Sequence, residues 1–134
     1  ISWFFVRAAG TVLGLAGGIP GPGPVAGSPG SGIVICADVI GETPDVTLRT
    51  TLEHETGHYL GLYHTSEVDG SVIEPLADTP ACLPMRDLNL DGVLEIRECI
   101  GAGADNPMFW AGSETGGGFS SDQASVMARS PTLH

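Results

Sequence analysis

Residues 54–64 read His-Glu-Thr-Gly-His-Tyr-Leu-Gly-Leu-Tyr-His, and this run restricts the fold more than any other part of the chain. His54 and His58 are four apart, so on a helix both imidazoles leave one face at adjacent turns. Gly61 then falls where a helix can stop, because glycine takes the left-handed conformation that turns a chain away. The fold must therefore supply a helix through 54–58 and a sharp exit after it. Thr43 and Pro44 fit an N-cap and a first helical position, and Asp45 adds a favourable charge to the first turn. A helix over about 44–60 is expected, with Leu48, Leu52, Tyr59 and Leu62 turned towards the interior.

The same run carries chemistry. Two histidines four apart on a helix can share a metal ion, and His64, reached after the break, supplies a third nitrogen. Three nitrogen ligands leave a fourth position open, which is the pattern of a catalytic zinc site. Glu55 adjoins His54 and is placed to reach a water in that position, acting first as general base and then as acid. The fourth histidine, His134, is left over, and no Ser-His-Asp set or phosphate-binding glycine signature accompanies it.

The rest of the chain bounds the fold around that helix. At 134 residues it has room for one domain. From 10 to 32, thirteen of 23 residues are Gly or Pro, which reads as an extended surface loop. Residues 1–7, with Trp3, Phe4, Phe5 and Val6, have the character of a buried strand, and residues 33–40 that of a second. The stretch before Ile19 is split by Arg7 and weakened by glycines, so it reads as neither signal peptide nor membrane span. A first residue inside a strand suggests a chain cut from a longer precursor. All five basic residues are arginines against sixteen acids, a net charge of -11, and thirteen of the acids follow residue 50. Such a surface excludes nucleic acid as a partner and suits cations.

The matched positions His54, Glu55, His58, Gly61 and His64 resemble the HExxHxxGxxH motif of the metzincin clan of zinc peptidases. That resemblance implies an α+β zinc peptidase domain with a mixed sheet, an active-site helix and a methionine turn, here N-terminally truncated. In Asn106-Pro107-Met108-Phe109-Trp110, Met108 lies 44 residues after His64 and is the candidate for the methionine turn. Asp78-Thr79-Pro80, Phe119-Ser120-Ser121-Asp122-Gln123 and Val126-Met127 look like the pappalysin-type members. Where such peptidases carry a tyrosine after the methionine, this chain has Phe109 and Trp110, and Trp110 offers only its indole N–H. By fold analogy, strand 33–40 is expected to be the sheet edge on which an extended peptide substrate docks, with loop 10–32 at the cleft rim.

A second pattern begins at Asp87. Asp87, Asn89, Asp91, Val93, Glu95 and Glu98 occupy positions 1, 3, 5, 7, 9 and 12 of an EF-hand-type loop, with Gly92 at position 6. Calcium would be held directly by Asp87, Asn89, Asp91 and Glu98, by the Val93 carbonyl, and by Glu95 through water. Pro84 before the loop and Gly101-Ala102-Gly103 after it leave no flanking helix pair. Cys82 and Cys99 bracket this loop and are expected to form a disulfide, which leaves Cys36 over, as a buried reduced thiol or a partner for a segment outside this chain. Glu74 and Asp78 read as turn carboxylates, not metal ligands.

The sequence thus predicts one catalytic domain over 1–134 with an inserted calcium loop at about 82–99. The expected activity is zinc-dependent endopeptidase hydrolysis of peptide bonds by a metal-bound water, with catalytic Zn2+ and structural Ca2+. Peptide or protein is the substrate, and a disulfide with calcium places the protein outside the cell. The competing class is a secreted calcium-binding or adhesion module with a non-catalytic zinc site. An amidase acting on a non-protein substrate would use the same residues.

Overall fold

The computed structural model describes residues 1–7, 12–21, 30–36, 44–113 and 116–133. Its strands are β1 (Trp3–Val6), β2 (Gly14–Ala16) and β3 (Ile33–Cys36), followed by helices α1 (Pro44–Tyr59) and α2 (Ser121–Ala128). The architecture is α+β with a small mixed sheet. Two compact units are present, one built from Ile1–Leu62 with Val126–His134 and the other from Tyr63–Ser125.

In the first unit the sheet order is β1-β3-β2. β1 runs parallel to β3, pairing Trp3 with Ile33 and Val6 with Cys36. β2 runs antiparallel to β3, pairing Gly14 with Ile35 and Ala16 with Ile33. β3 is therefore the central strand, and Ile33 and Ile35 are fully buried. With Tyr59 they form the core, to which Ala16, Leu48 and Leu52 add partly buried surface. The apolar spacing of α1 thus packs against the strand richest in β-branched residues.

Two expectations are corrected here. Residues 3–6 form a strand, but Trp3, Phe4 and Phe5 are each at least 50% exposed, because β1 pairs with β3 on one side and lies at the sheet margin among the described strands. Strand 33–40 is not the docking edge, since β3 has β1 and β2 on its two sides. The described strand ends at Cys36, and 37–40 lie outside the described residues, as do parts of the glycine-rich loop. Cys36 itself is a buried free thiol.

The second unit has little regular secondary structure and is held by cross-links. Cys82 and Cys99 form a disulfide with Cα atoms 5.5 Å apart, which removes about 3 kcal/mol of open-chain freedom for a closure of this length. Both half-cystines are fully buried in a cluster with Leu94, Ala102, Ala104 and Phe109, against which Ile96 and Trp110 pack. A polar network runs beside it: the Gln123 amide donates to Glu74 at 3.0 Å and Asn106 donates to Gln123 at 2.9 Å. Glu74 also accepts from the Thr79 hydroxyl. Buried polar groups so completed fix one arrangement of the chain.

Asp78 caps the start of α2. Its carboxylate accepts from the Asp122 N–H at 2.9 Å and from the Ser120 hydroxyl at 2.7 Å. These two bonds hold its carboxyl below the usual 3.8. A carboxylate lowered by folding stabilises the fold above its open-chain value and loses that contribution as pH falls through the lower folded value. Asp78→Asn is therefore expected to lower the melting temperature at pH 6 and to flatten the acid side of the stability profile. Melting curves between pH 2 and 6 check this; parallel profiles for parent and variant would contradict the cap.

Candidate metal centre

α1 ends as its sequence requires. The Gly61 N–H donates to the His58 carbonyl at 2.9 Å and the Leu62 N–H to the Gly57 carbonyl at 2.9 Å, while Gly61 takes φ 109°. This paired closure is the Schellman arrangement, with glycine at the left-handed position. Leu62, buried after the turn, then receives His58: its carbonyl lies 2.8 Å from His58 Nδ1. A carbonyl only accepts, so His58 Nδ1 carries the hydrogen and Nε2 keeps its lone pair in the neutral ring.

That lone pair faces His54. The two Nε2 atoms are 3.1 Å apart and the rings meet edge to face at 90°. His64 follows six residues after His58, and one ring nitrogen from each of His54, His58 and His64 lies within 4.8 Å of the others. Among the described residues, no other group of three His, Cys, Asp or Glu is so gathered. Three imidazoles with converging nitrogens suit a borderline-soft divalent ion, zinc foremost.

Glu55 is buried at 8% exposure between α1 and β2. Burial pushes its carboxyl up from 4.5 to about 7, against the opposing effect of the Ala16 backbone hydrogen bond. Gly14 makes that placement possible. A Cβ there would lie 2.6 Å from Glu55 Cγ and 2.9 Å from Thr51 Cγ2, so any side chain at 14 would displace the carboxylate. Gly14 was not singled out from the sequence, because nothing distinguishes it from the glycines around it.

Met108 is fully buried, in a turn closed by the Phe109 N–H donating to the Asn106 carbonyl at 3.0 Å. The Asn106 side chain accepts the Met108 N–H at 2.8 Å, and the Met108 carbonyl accepts the N–H of Thr65, the residue after His64, at 2.9 Å. Asn106 and Gln123, both buried, therefore hold this turn, a role that only their tertiary contacts reveal. Trp110 donates its indole N–H to the Leu94 carbonyl at 2.8 Å. Its single donor is committed to the second unit's interior.

In the 87–98 loop the acidic side chains bind the loop's own backbone. Asp87 accepts from the N–H groups of Asp91 and Gly92, Asp91 from Val93, and Glu98 from Leu88 and Glu95. Gly92 takes φ 80° at the sharp turn and Leu94 is buried beneath it. A single 3-10 turn, Pro84–Arg86, precedes the loop, and another, Ile96–Glu98, forms its last residues. Its carboxylates are not drawn together as the three histidines are.

A carboxyl that protonates at about 7 in the fold and 4.5 in the open chain opposes folding. The penalty begins as pH rises past 4.5 and is complete above 7. In chelator-treated protein, Glu55→Gln is expected to match the parent near pH 4 and to exceed it progressively, by on the order of 3 kcal/mol at pH 8. Denaturant unfolding across that range measures the difference; a pH-independent difference would contradict the burial argument.

Parts of this chain are similar to proteins named extracellular metalloprotease. The identity is 46% over 43 residues to those of Arthroderma benhamiae and Trichophyton verrucosum, covering 31% of this chain and 16% of each relative. It is 36% over 67 residues to that of Arthroderma otae, covering 49% of this chain and 24% of the relative. The matched stretches thus span less than a quarter of these relatives' own length. No family model and no solved structure matches the chain. The likeness is thus partial, and the three histidines form a group that could hold a metal ion.

Proposed function

We propose that this chain is a zinc-dependent endopeptidase of the metzincin type, closest in its motifs to the pappalysin-like members, with 1–134 serving one catalytic domain. The observation that carries the reading is the convergence of three imidazole nitrogens, with a buried carboxyl on Glu55, the residue that follows the first of them in sequence. His54, His58 and His64 would hold zinc, which when bound polarises a peptide carbonyl and makes water a better nucleophile at neutral pH.

The remaining work falls to the chain. Burial keeps Glu55 able to take a proton from the attacking water near neutral pH and return it to the leaving amine. The Ala16 hydrogen bond and the space left by Gly14 hold that carboxylate in place. Peptide docking passes from β3 to the margin strand β2, which pairs with β3 on one side and presents Leu15 at 64% exposure. An extended peptide there would run past the strand that positions Glu55. Met108 serves as the methionine turn, and Asp87, Asn89, Asp91, Val93, Glu95 and Glu98 take calcium as a structural ion. The names of the relatives support secretion, and no described helix is long and apolar enough to cross a membrane.

Digestion of a proteome-derived peptide library by the zinc- and calcium-loaded chain, read by mass spectrometry, tests the activity. New internal termini that vanish in Glu55→Ala are expected; identical termini from both, or none from protein shown to hold zinc, would sink the endopeptidase reading. Calcium has its own test. Protease nicking within 82–99 is expected to accelerate when calcium is removed, and an unchanged rate would remove the ion from the account.

A further inference from the structure

One nitrogen of the His64 ring meets a carboxylate. Its Nδ1 lies 3.0 Å from Oε2 of Glu67, and both side chains are largely withdrawn from solvent. A carboxylate can only accept, so Nδ1 carries the hydrogen and Nε2 is the nitrogen left to bind a metal. His58 has the same assignment made by the Leu62 carbonyl. At His64 the partner is an anion, which raises the electron density on the ring as well as fixing its tautomer.

Glu67 is not a loose surface acid. Its N–H donates to the Ser71 carbonyl at 2.9 Å and its carbonyl accepts from Gly70 at 3.0 Å, closing the turn 67–71. The residues on either side are pinned as well. Ser66 Oγ accepts the Cys82 N–H at 2.7 Å, and the Val68 carbonyl accepts the Leu94 N–H at 2.8 Å. Both anchors belong to the disulfide-closed cluster of the second unit. The carboxylate that meets His64 is thus carried on a backbone tied to a cross-linked core.

We propose that Glu67 is a positioning residue of the metal centre, setting the tautomer and orientation of His64 and strengthening its Nε2 as a ligand. This inference rests on the three-histidine reading. Outer partners of metal-bound histidines of this kind are worth about 10–100-fold in metal affinity.

The test compares the parent chain with Glu67→Ala, Glu67→Gln and the exposed charge-matched change Asp105→Asn. Zinc affinity is measured by competition with a chromophoric chelator, and the ring 15N shifts of His64 are read in zinc-free protein. Glu67→Ala is expected to weaken zinc about 10–100-fold and to move His64 towards the Nε2–H tautomer. Glu67→Gln keeps an acceptor without the charge and is expected to fall between, while Asp105→Asn matches the parent. Parent-like affinity and tautomer in both Glu67 variants would overturn the role of Glu67 and leave the metal site standing. A parent chain that binds no zinc would overturn the site and this inference together.

Discussion

Leu62 is fastened to the end of α1 through both halves of its backbone, its N–H to Gly57 and its carbonyl to the ring of His58. The hydrogen bond that ends the helix and the one that orients the His58 ring therefore share one residue. Gly61 makes this possible by taking φ 109°, a conformation that costs a side-chain-bearing residue about 1–2 kcal/mol. Without the turn, His58 would lose its acceptor and the chain would not come back at His64. The remaining features of the centre depend on that exit.

Glu55 shows a second economy. The helix places it one residue from His54, but its position comes from β2, where Gly14 leaves the room and the Ala16 backbone provides the hydrogen bond. Burial raises its proton affinity to about 7, at a cost to stability. His64 is held by different means, an acid on a turn anchored to the disulfide cluster. His58, Glu55 and His64 are thus oriented by a helix cap, a strand and a cross-linked loop.

What could be read in the sequence was what is local. The His54–His58 spacing, the stop at Gly61 and the inward face of α1 follow from helical periodicity within a few residues, and the bracketing of 87–98 by Cys82 and Cys99 needed only their order. Strand order was not legible, because whether β3 lies at the centre or the margin depends on which strands pair with it. The apolar run Trp3–Val6 looked like core for the same reason, since composition reports a strand and not its neighbours. Trp110 finds its acceptor sixteen residues back in the chain, and Gly14 meets Glu55 forty-one residues on. Neither partner leaves a mark at the residue itself.

The central claim is that three imidazoles, and no other protein side chain, bind the metal. X-ray absorption on the chain carrying one equivalent of zinc addresses it directly. The account predicts a first shell of nitrogen and oxygen at about 2.0–2.1 Å, with outer-shell scattering from three imidazole rings that falls to two in His64→Ala. A sulfur shell near about 2.3 Å, or a spectrum that His64→Ala leaves unchanged, would contradict it.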